Sequence, residues 1–282
     1  MFKKSVVFIL LLAVVIFFGL DRLYHPKGMR FKPSKIVTYH HSTEWSLPLL
    51  SEEEQKEIDR ILNQKFTYFD KGSQSYVFIS EDKKHVLKFL KQCKLRPRTW
   101  LAYIPLSFNP YRQQKLFFQE KRRRTFDAQK IAFTEFRKET GLLYAHLNRT
   151  NNLQKSVELF DKKGRGYTIA LDNTSFSIQK KVNLVYPHLS ELIKQGNQEK
   201  AKKVISSFCS LVDLFAQKGV IDHDPIVRKN FGVLDDEVIQ FDIGRMRIGP
   251  PQNRADEVAN AHKKIERWIA KHHPEFLEAL NS

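Results

Sequence analysis

The sequence predicts an α+β protein, with a strand-rich N-terminal lobe and a short helical C-terminal lobe behind an apolar N-terminal segment. Three observations predict this. Between residues 65 and 90, short alternating or β-branched runs are separated by polar turns, the pattern of an antiparallel meander. From residue 200 onward, apolar residues recur at helical spacing. Between these regions lies Gly219–Arg245, in which acids and an amide bracket two short apolar runs, Phe231–Leu234 and Val238–Phe241. Those runs read as a hairpin.

Composition narrows the functional classes. A chain of 282 residues with 41% hydrophobic residues buries a sizeable core, which excludes a disordered protein. The formal net charge of +17 favours anionic partners: phosphorylated ligands, membrane surfaces or nucleic acid. The densest basic run, Lys121-Arg122-Arg123-Arg124, reads as a solvated helix face, and no nucleic-acid motif accompanies it. Cys93 and Cys209 lack metal-ligand spacing, and Cys209 reads as core.

In chain order, residues 1–22 form a membrane anchor or signal segment. Ser5–Leu20 carries no charge, and no small-residue cleavage site follows, so an uncleaved anchor is the expectation. Arg22, Lys27, Arg30, Lys32 and Lys35 follow the span, against Lys3 and Lys4 before it. This bias points to a cytoplasm-facing main domain. Residues 23–50 read as a linker with Pro26, Pro33 and Pro48, and His40-His41 as a surface pair.

The N-terminal lobe is expected over 51–186. Ser51 and Glu54 form a capping box opening a helix with Ile58, Ile61 and Leu62 inward. Strands follow at Phe66–Phe69, Tyr76–Ser80 and His85–Leu90. Lys88 interrupts the last, and must snorkel from an edge strand, pair with an acid or face a ligand. The proline-broken stretch 91–110 is either an insert packed on the core or a membrane-contacting surface. A long helix is expected over 111–140, with Glu120, Glu135 and Glu139 as candidate inward acids. Ser156–Phe160, Tyr167–Leu171 and Phe176–Val182 read as further strands. In the helical lobe, 187–282, helices are expected over Lys200–Lys218, closed by Gly219, and over Arg254–His272.

The oxygen ligands of the central stretch suit a hard divalent cation. Its order in the chain matters more. A turn with Gly72, then Lys88 on a strand, then a long helix, then Asp222-His223-Asp224, Asn230 and Asp242-Ile243-Gly244 resembles the protein-kinase-like fold. The match covers about residues 60–270. It is similar to small, divergent bacterial members that phosphorylate sugars or lipid-linked glycans, or to inactive members. The family's Gly-rich loop falls on Asp70–Val77, with only Gly72 and Val77 matching, and the resemblance assigns nucleotide contacts to Gly72, Ser73, Ser75 and Lys88. It makes Glu135 the helix partner of Lys88, with Glu120 and Glu139 as alternatives. It makes Asp224 the catalytic base, and Asn230 and Asp242 the magnesium ligands. The segment from Asp224 to Asn230 is one residue longer than the family spacing. Only 38 residues follow Gly244, too few for the helical platform that grips peptides.

The resemblance therefore implies ATP and magnesium as cofactors. It implies a membrane-anchored phosphotransferase acting on a hydroxyl of a glycan, lipid or small molecule. The alternative is an inactive pseudokinase or scaffold at the membrane. Asp222-x-Asp224 also has the form of a glycosyltransferase metal motif, but the strand–helix alternation such enzymes need is not apparent.

Overall fold

Short apolar runs build the first strands, and the sheet they start is completed by strands far along the chain. In the computed structural model, which describes residues 31–97, 103–105, 111–222, 226–277 and 280, residues 33–282 form one unit. The anticipated membrane segment and, within the 91–110 stretch, residues 98–102 and 106–110 lie outside the described residues. Among the described residues, no helix is long and apolar enough to cross a membrane.

The first helix, α1 (Glu52–Leu62), starts with both hydrogen bonds of the capping box: Glu54 N–H donates to Ser51 Oγ at 3.2 Å, and Ser51 N–H to Glu54 Oε2 at 2.9 Å. The meander follows as β1 (Lys65–Lys71), β2 (Ser75–Ser80) and β3 (His85–Leu90). In β2 the alternate positions Tyr76, Phe78 and Ser80 are buried, the period-two pattern of a strand. Beyond the insert come α2 (Arg112–Glu135), α3 (Arg137–Thr140), β4 (Leu142–His146), β5 (Ser156–Phe160), β6 (Gly166–Ala170) and β7 (Phe176–Lys180). The expected long helix is thus broken at Phe136, whose φ of −134° is not helical.

β1 to β7 form one sheet in the order β4-β7-β3-β2-β1-β5-β6. The pairing of β1 with β5 is parallel and the rest are antiparallel. Lys88 is therefore on a central strand, between Val77 of β2 and Ser177 of β7. The edge-strand expectation fails because β7, from about 90 residues later, covers the flank of β3.

The remainder is mostly helical. β8 (Asn183–Leu184) leads into α4 (Val185–Lys194), so the expected lobe boundary at 186/187 falls inside this helix. Next come α5 (Gln198–Gln217), β9 (Val220–Asp222), α6 (Val227–Asn230), β10 (Phe231–Leu234), β11 (Glu237–Gln240), β12 (Met246–Ile248) and α7 (Arg254–His272). Gly219 closes α5 with φ +65°, and a Cβ there would sit 2.1 Å from Gly249 O. A single core joins α2, α4, α5, the β10–β11 hairpin and α7 through residues such as Phe133, Leu189, Phe208, Val233 and Ile265.

Candidate active site

The β10–β11 hairpin is held by a two-residue turn, Asp235-Asp236, with φ of +50° and +63°. Both values are those of a type I′ turn, whose twist matches antiparallel strands. Register Phe231↔Gln240 brings the open ends of the hairpin together. Asn230 O accepts from Phe241 N–H at 2.9 Å and from Asp242 N–H at 3.4 Å. Asn230 and Asp242, twelve positions apart in sequence, thus stand side by side because the hairpin closes. On the far side, Gly232 packs so tightly on β8 that a Cβ would lie 2.4 Å from Val182 Cγ2 and 2.9 Å from Asn183 O.

Lys88 reaches this point from the sheet. Its ammonium donates to Phe241 O at 2.8 Å and lies 5.2 Å from the centre of the Phe241 ring. Gln179 of β7 donates to the same carbonyl at 3.3 Å. Burial lowers the Lys88 pKa to about 8, partly opposed by the Asp242 carboxylate.

The β1–β2 turn forms the third wall. It is fastened by Lys91, directly after β3: Lys91 N–H donates to Gln74 O at 2.8 Å, and its ammonium donates to Gly72 O at 2.5 Å over the Tyr76 ring. One cleft, with a cavity volume of about 80 Å³, is lined by Gly72, Ser73, Gln74 and Ser75 of the turn, by Lys88, by Asn230, and by Asp242, Gly244 and Arg245. Thr125 and Gln129 of α2 line its back wall.

The structure thus gathers Gly72, Ser73, Ser75, Lys88, Asn230 and Asp242 around one space. Asp224 lies outside the described residues, as does His223. The residue before them, Asp222, pairs with Met246 across β9 and β12. The expected partnership of Lys88 with Glu135 is not found. Glu135 is exposed at the end of α2 and lines no part of the cleft. Nor do the alternatives serve, since Glu120 pairs with Arg123 and Arg124, and Glu139 is also absent from the lining. Position along the helix is the reason: α2 lines the cleft at Thr125 and Gln129, and Glu135 is the last residue of the helix, exposed where the chain leaves it.

Gln129 occupies the place where an acid was sought. It is 6% exposed, and its Oε1 has no hydrogen-bond partner among the described residues. The sequence signal was a polar residue inside the apolar face Phe126–Phe133. A second residue that sequence reasoning missed is Gln74. Its Oε1 accepts from Thr125 Oγ1 at 3.0 Å and lies 3.8 Å from where a Cβ on Gly244 would be, so its side chain spans the cleft from turn to helix.

One histidine reading changes, that of His40, while His41 is on the surface as expected. His40 is half-buried against the Arg122 guanidinium, and burial together with that charge lowers its pKa to about 4. His41 is exposed and bonds Arg149 O.

The meander with its Gly72 turn, the lysine on a central strand, the helix behind it and the hairpin ending in D-x-G occur in the order and apposition that the resemblance implied. The fold is kinase-like. No protein-family model and no curated protein sequence matches the chain. Among solved structures it is similar to WbdD, a bifunctional kinase-methyltransferase, at 12% identity and a TM-score of 0.38, over 73% of this chain and 38% of that one. It is similar to the LegK7 effector kinase of Legionella pneumophila at 10% identity and a TM-score of 0.31, over 70% of this chain and 38% of that one. It is similar to APH(2")-IIa, solved as a ternary complex with streptomycin and ATP, at 10% identity and a TM-score of 0.32, over 83% of this chain and 95% of that one. These likenesses are loose. The chain spans less than two fifths of the length of WbdD.

The residues present fit a magnesium-bound triphosphate in part. Asn230 and Asp242 offer hard oxygens side by side, and magnesium commonly takes one or two carboxylates with the rest supplied by water and phosphate. Among the described residues no three His, Cys, Asp or Glu side chains cluster, so a metal here would depend on such outside ligands.

Proposed function

We propose that this chain is a kinase-like phosphotransferase that moves the γ-phosphate of ATP to a hydroxyl of a glycan, lipid or small molecule. One observation carries the reading: the Lys88 ammonium, Asn230 and Asp242 converge on a cleft roofed by the Gly72 turn. Lys88 and the backbone amides of the turn would hold phosphate oxygens. Asn230 and Asp242 would hold magnesium, which when bound neutralises charge on the phosphates. The chain's part is positioning and electrostatic preorganisation. Asp224 would orient the acceptor hydroxyl and take its proton, and Glu135 has no part in the reaction. The uncharged run Ser5–Leu20 and the basic residues after it support a membrane-anchored, cytoplasm-facing enzyme.

A pseudokinase is the second reading, favoured by Gln74 spanning the cleft and by Gln129 where a carboxylate would serve an active kinase. The glycosyltransferase reading has less support, because the only parallel pairing in the large sheet is β1 with β5.

Incubation of the full chain with γ-labelled ATP, magnesium and a panel of sugars, glycans and lipids separates the first two readings. Label on an acceptor, lost in Asp224→Asn, supports the phosphotransferase. Nucleotide binding without transfer to any acceptor supports the pseudokinase.

A further inference from the structure

Lys91 is a buried cation to which the phosphotransfer reading gives no part. It follows β3 directly and is 2% exposed. Its ammonium donates to Gly72 O at 2.5 Å and lies 4.6 Å from the centre of the Tyr76 ring, which is itself fully buried. Among the described residues no carboxylate pairs with it. A buried ammonium without a counter-ion costs stability, and a methionine of similar length would fill the same space without that cost. Gly72 is exposed, so water would satisfy its carbonyl if the ammonium were gone. Core packing therefore does not account for this charge, and the turn it holds does.

Two carbonyls of the turn are gripped by this one residue. The ammonium takes Gly72 O, and Lys91 N–H takes Gln74 O at 2.8 Å. The peptide bonds that follow Gly72 and Gln74 are trans. In a trans peptide the N–H points opposite to the C=O, so the Ser73 and Ser75 amides point away from Lys91. Ser73 and Ser75 line the cleft, and Lys91 does not. Ser73 N–H has no backbone acceptor among the described residues. Asp70 and Ser75 stand where the Gly-rich loop of the resemblance has glycines. Glycine's freedom lets a turn bring its amides onto an anion, and this turn has less of it. We infer that Lys91 is a positioning residue that holds the Gly72 and Gln74 carbonyls and so presents the Ser73 and Ser75 amides to the phosphates of a nucleotide. This rests on the nucleotide-binding reading of the cleft. Lys91 acts through the backbone and touches no phosphate itself.

The test compares Lys91→Met with the wild type, both as the full chain at pH 7, titrated with ATP plus magnesium and with adenosine. ATP affinity falls about ten-fold or more in the variant and adenosine affinity is kept, because only the phosphates meet the turn. The melting temperature stays level or rises, as expected when a buried charge is replaced by an apolar side chain. A residue that merely supports the fold gives the opposite pattern, a lower melting temperature with equal losses for ATP and adenosine, and that result overturns the inference. Unchanged ATP affinity in a folded Lys91→Met overturns it too, and leaves the nucleotide reading intact. Residue-resolved amide hydrogen exchange reads the contact in the wild type without any substitution. ATP slows exchange at Ser73 and adenosine does not. If ATP binds without slowing Ser73, the inference fails whether or not the variant folds. A wild type that binds neither ATP nor adenosine defeats the nucleotide reading itself, and the role of Lys91 with it.

Discussion

Lys88 brings a charge to a place where burial opposes it, and the direction of that opposition makes two predictions. Its pKa is lowered from 10.5 to about 8. The ammonium is the form that binds a triphosphate, so nucleotide affinity is full below pH 8. Above it, affinity falls by up to about ten-fold per pH unit, because binding must then take up a proton. Calorimetric titrations at pH 7 and pH 9 read this fall, and Lys88→Arg abolishes it. Stability moves the other way. Between about 8 and 10.5 the unfolded chain holds more protons at this position than the folded one, so Lys88 adds to stability as pH rises. Gln129 should modulate the first effect. In Gln129→Glu a carboxylate enters the cleft Lys88 faces, and the fall in affinity shifts to higher pH. Lys88, Asn230 and Asp242 were legible because an unusual residue in an apolar run, or at a hairpin's end, needs a reason. Gln129 was not, because its one signal, a polar residue among apolar ones, gains meaning only once the phase of its helix is known.

At the scale of elements, the β10–β11 hairpin holds the metal-binding pair, and its geometry depends on two unusual positions. Gly232 touches Val182 and Asn183 too closely for any side chain. Gly232→Ala therefore destabilises the protein by about 1–3 kcal/mol, as overpacking does, and weakens nucleotide binding by displacing Asn230 and Asp242. Thermal unfolding and nucleotide titration of the same variant check both halves. Asp236 sits at φ +63° without glycine's freedom. Asp236→Gly relieves about 1 kcal/mol and raises the melting temperature by about 2–4 °C, the surface pair with Lys203 being worth little. The turn across the cleft is testable as well. Gln74→Ala removes the side chain spanning to Thr125, and nucleotide affinity increases if that span is what narrows the cleft. Strand patterning anticipated the meander, β5 to β7 and the hairpin, because each carries its own short run of apolar residues between polar turns. The short strands β8, β9 and β12 were missed. At two or three residues each they have almost no pattern, and partners distant in sequence define them.

For the molecule as a whole, a core runs through α2, α4 and α5 and so spans the two closely packed lobes expected from the sequence. The sequence showed the order of elements clearly. It could not show that β7 flanks β3, so the central position of Lys88 emerged only from the fold. The charge of +17 acts at this scale too. Binding of the full chain to anionic vesicles should weaken as salt rises, while an inserted N-terminal anchor would keep it bound at high salt. Flotation at low and high salt separates the two contributions. The central claim is that Lys88, Asn230 and Asp242 form a magnesium–nucleotide site, and the most direct measurement is ATP binding with and without magnesium. Magnesium strengthens binding in the wild type. Lys88→Met loses about ten-fold or more of the affinity, and Asp242→Asn loses the magnesium effect. Equal affinity in all three proteins, with magnesium making no difference, would contradict it.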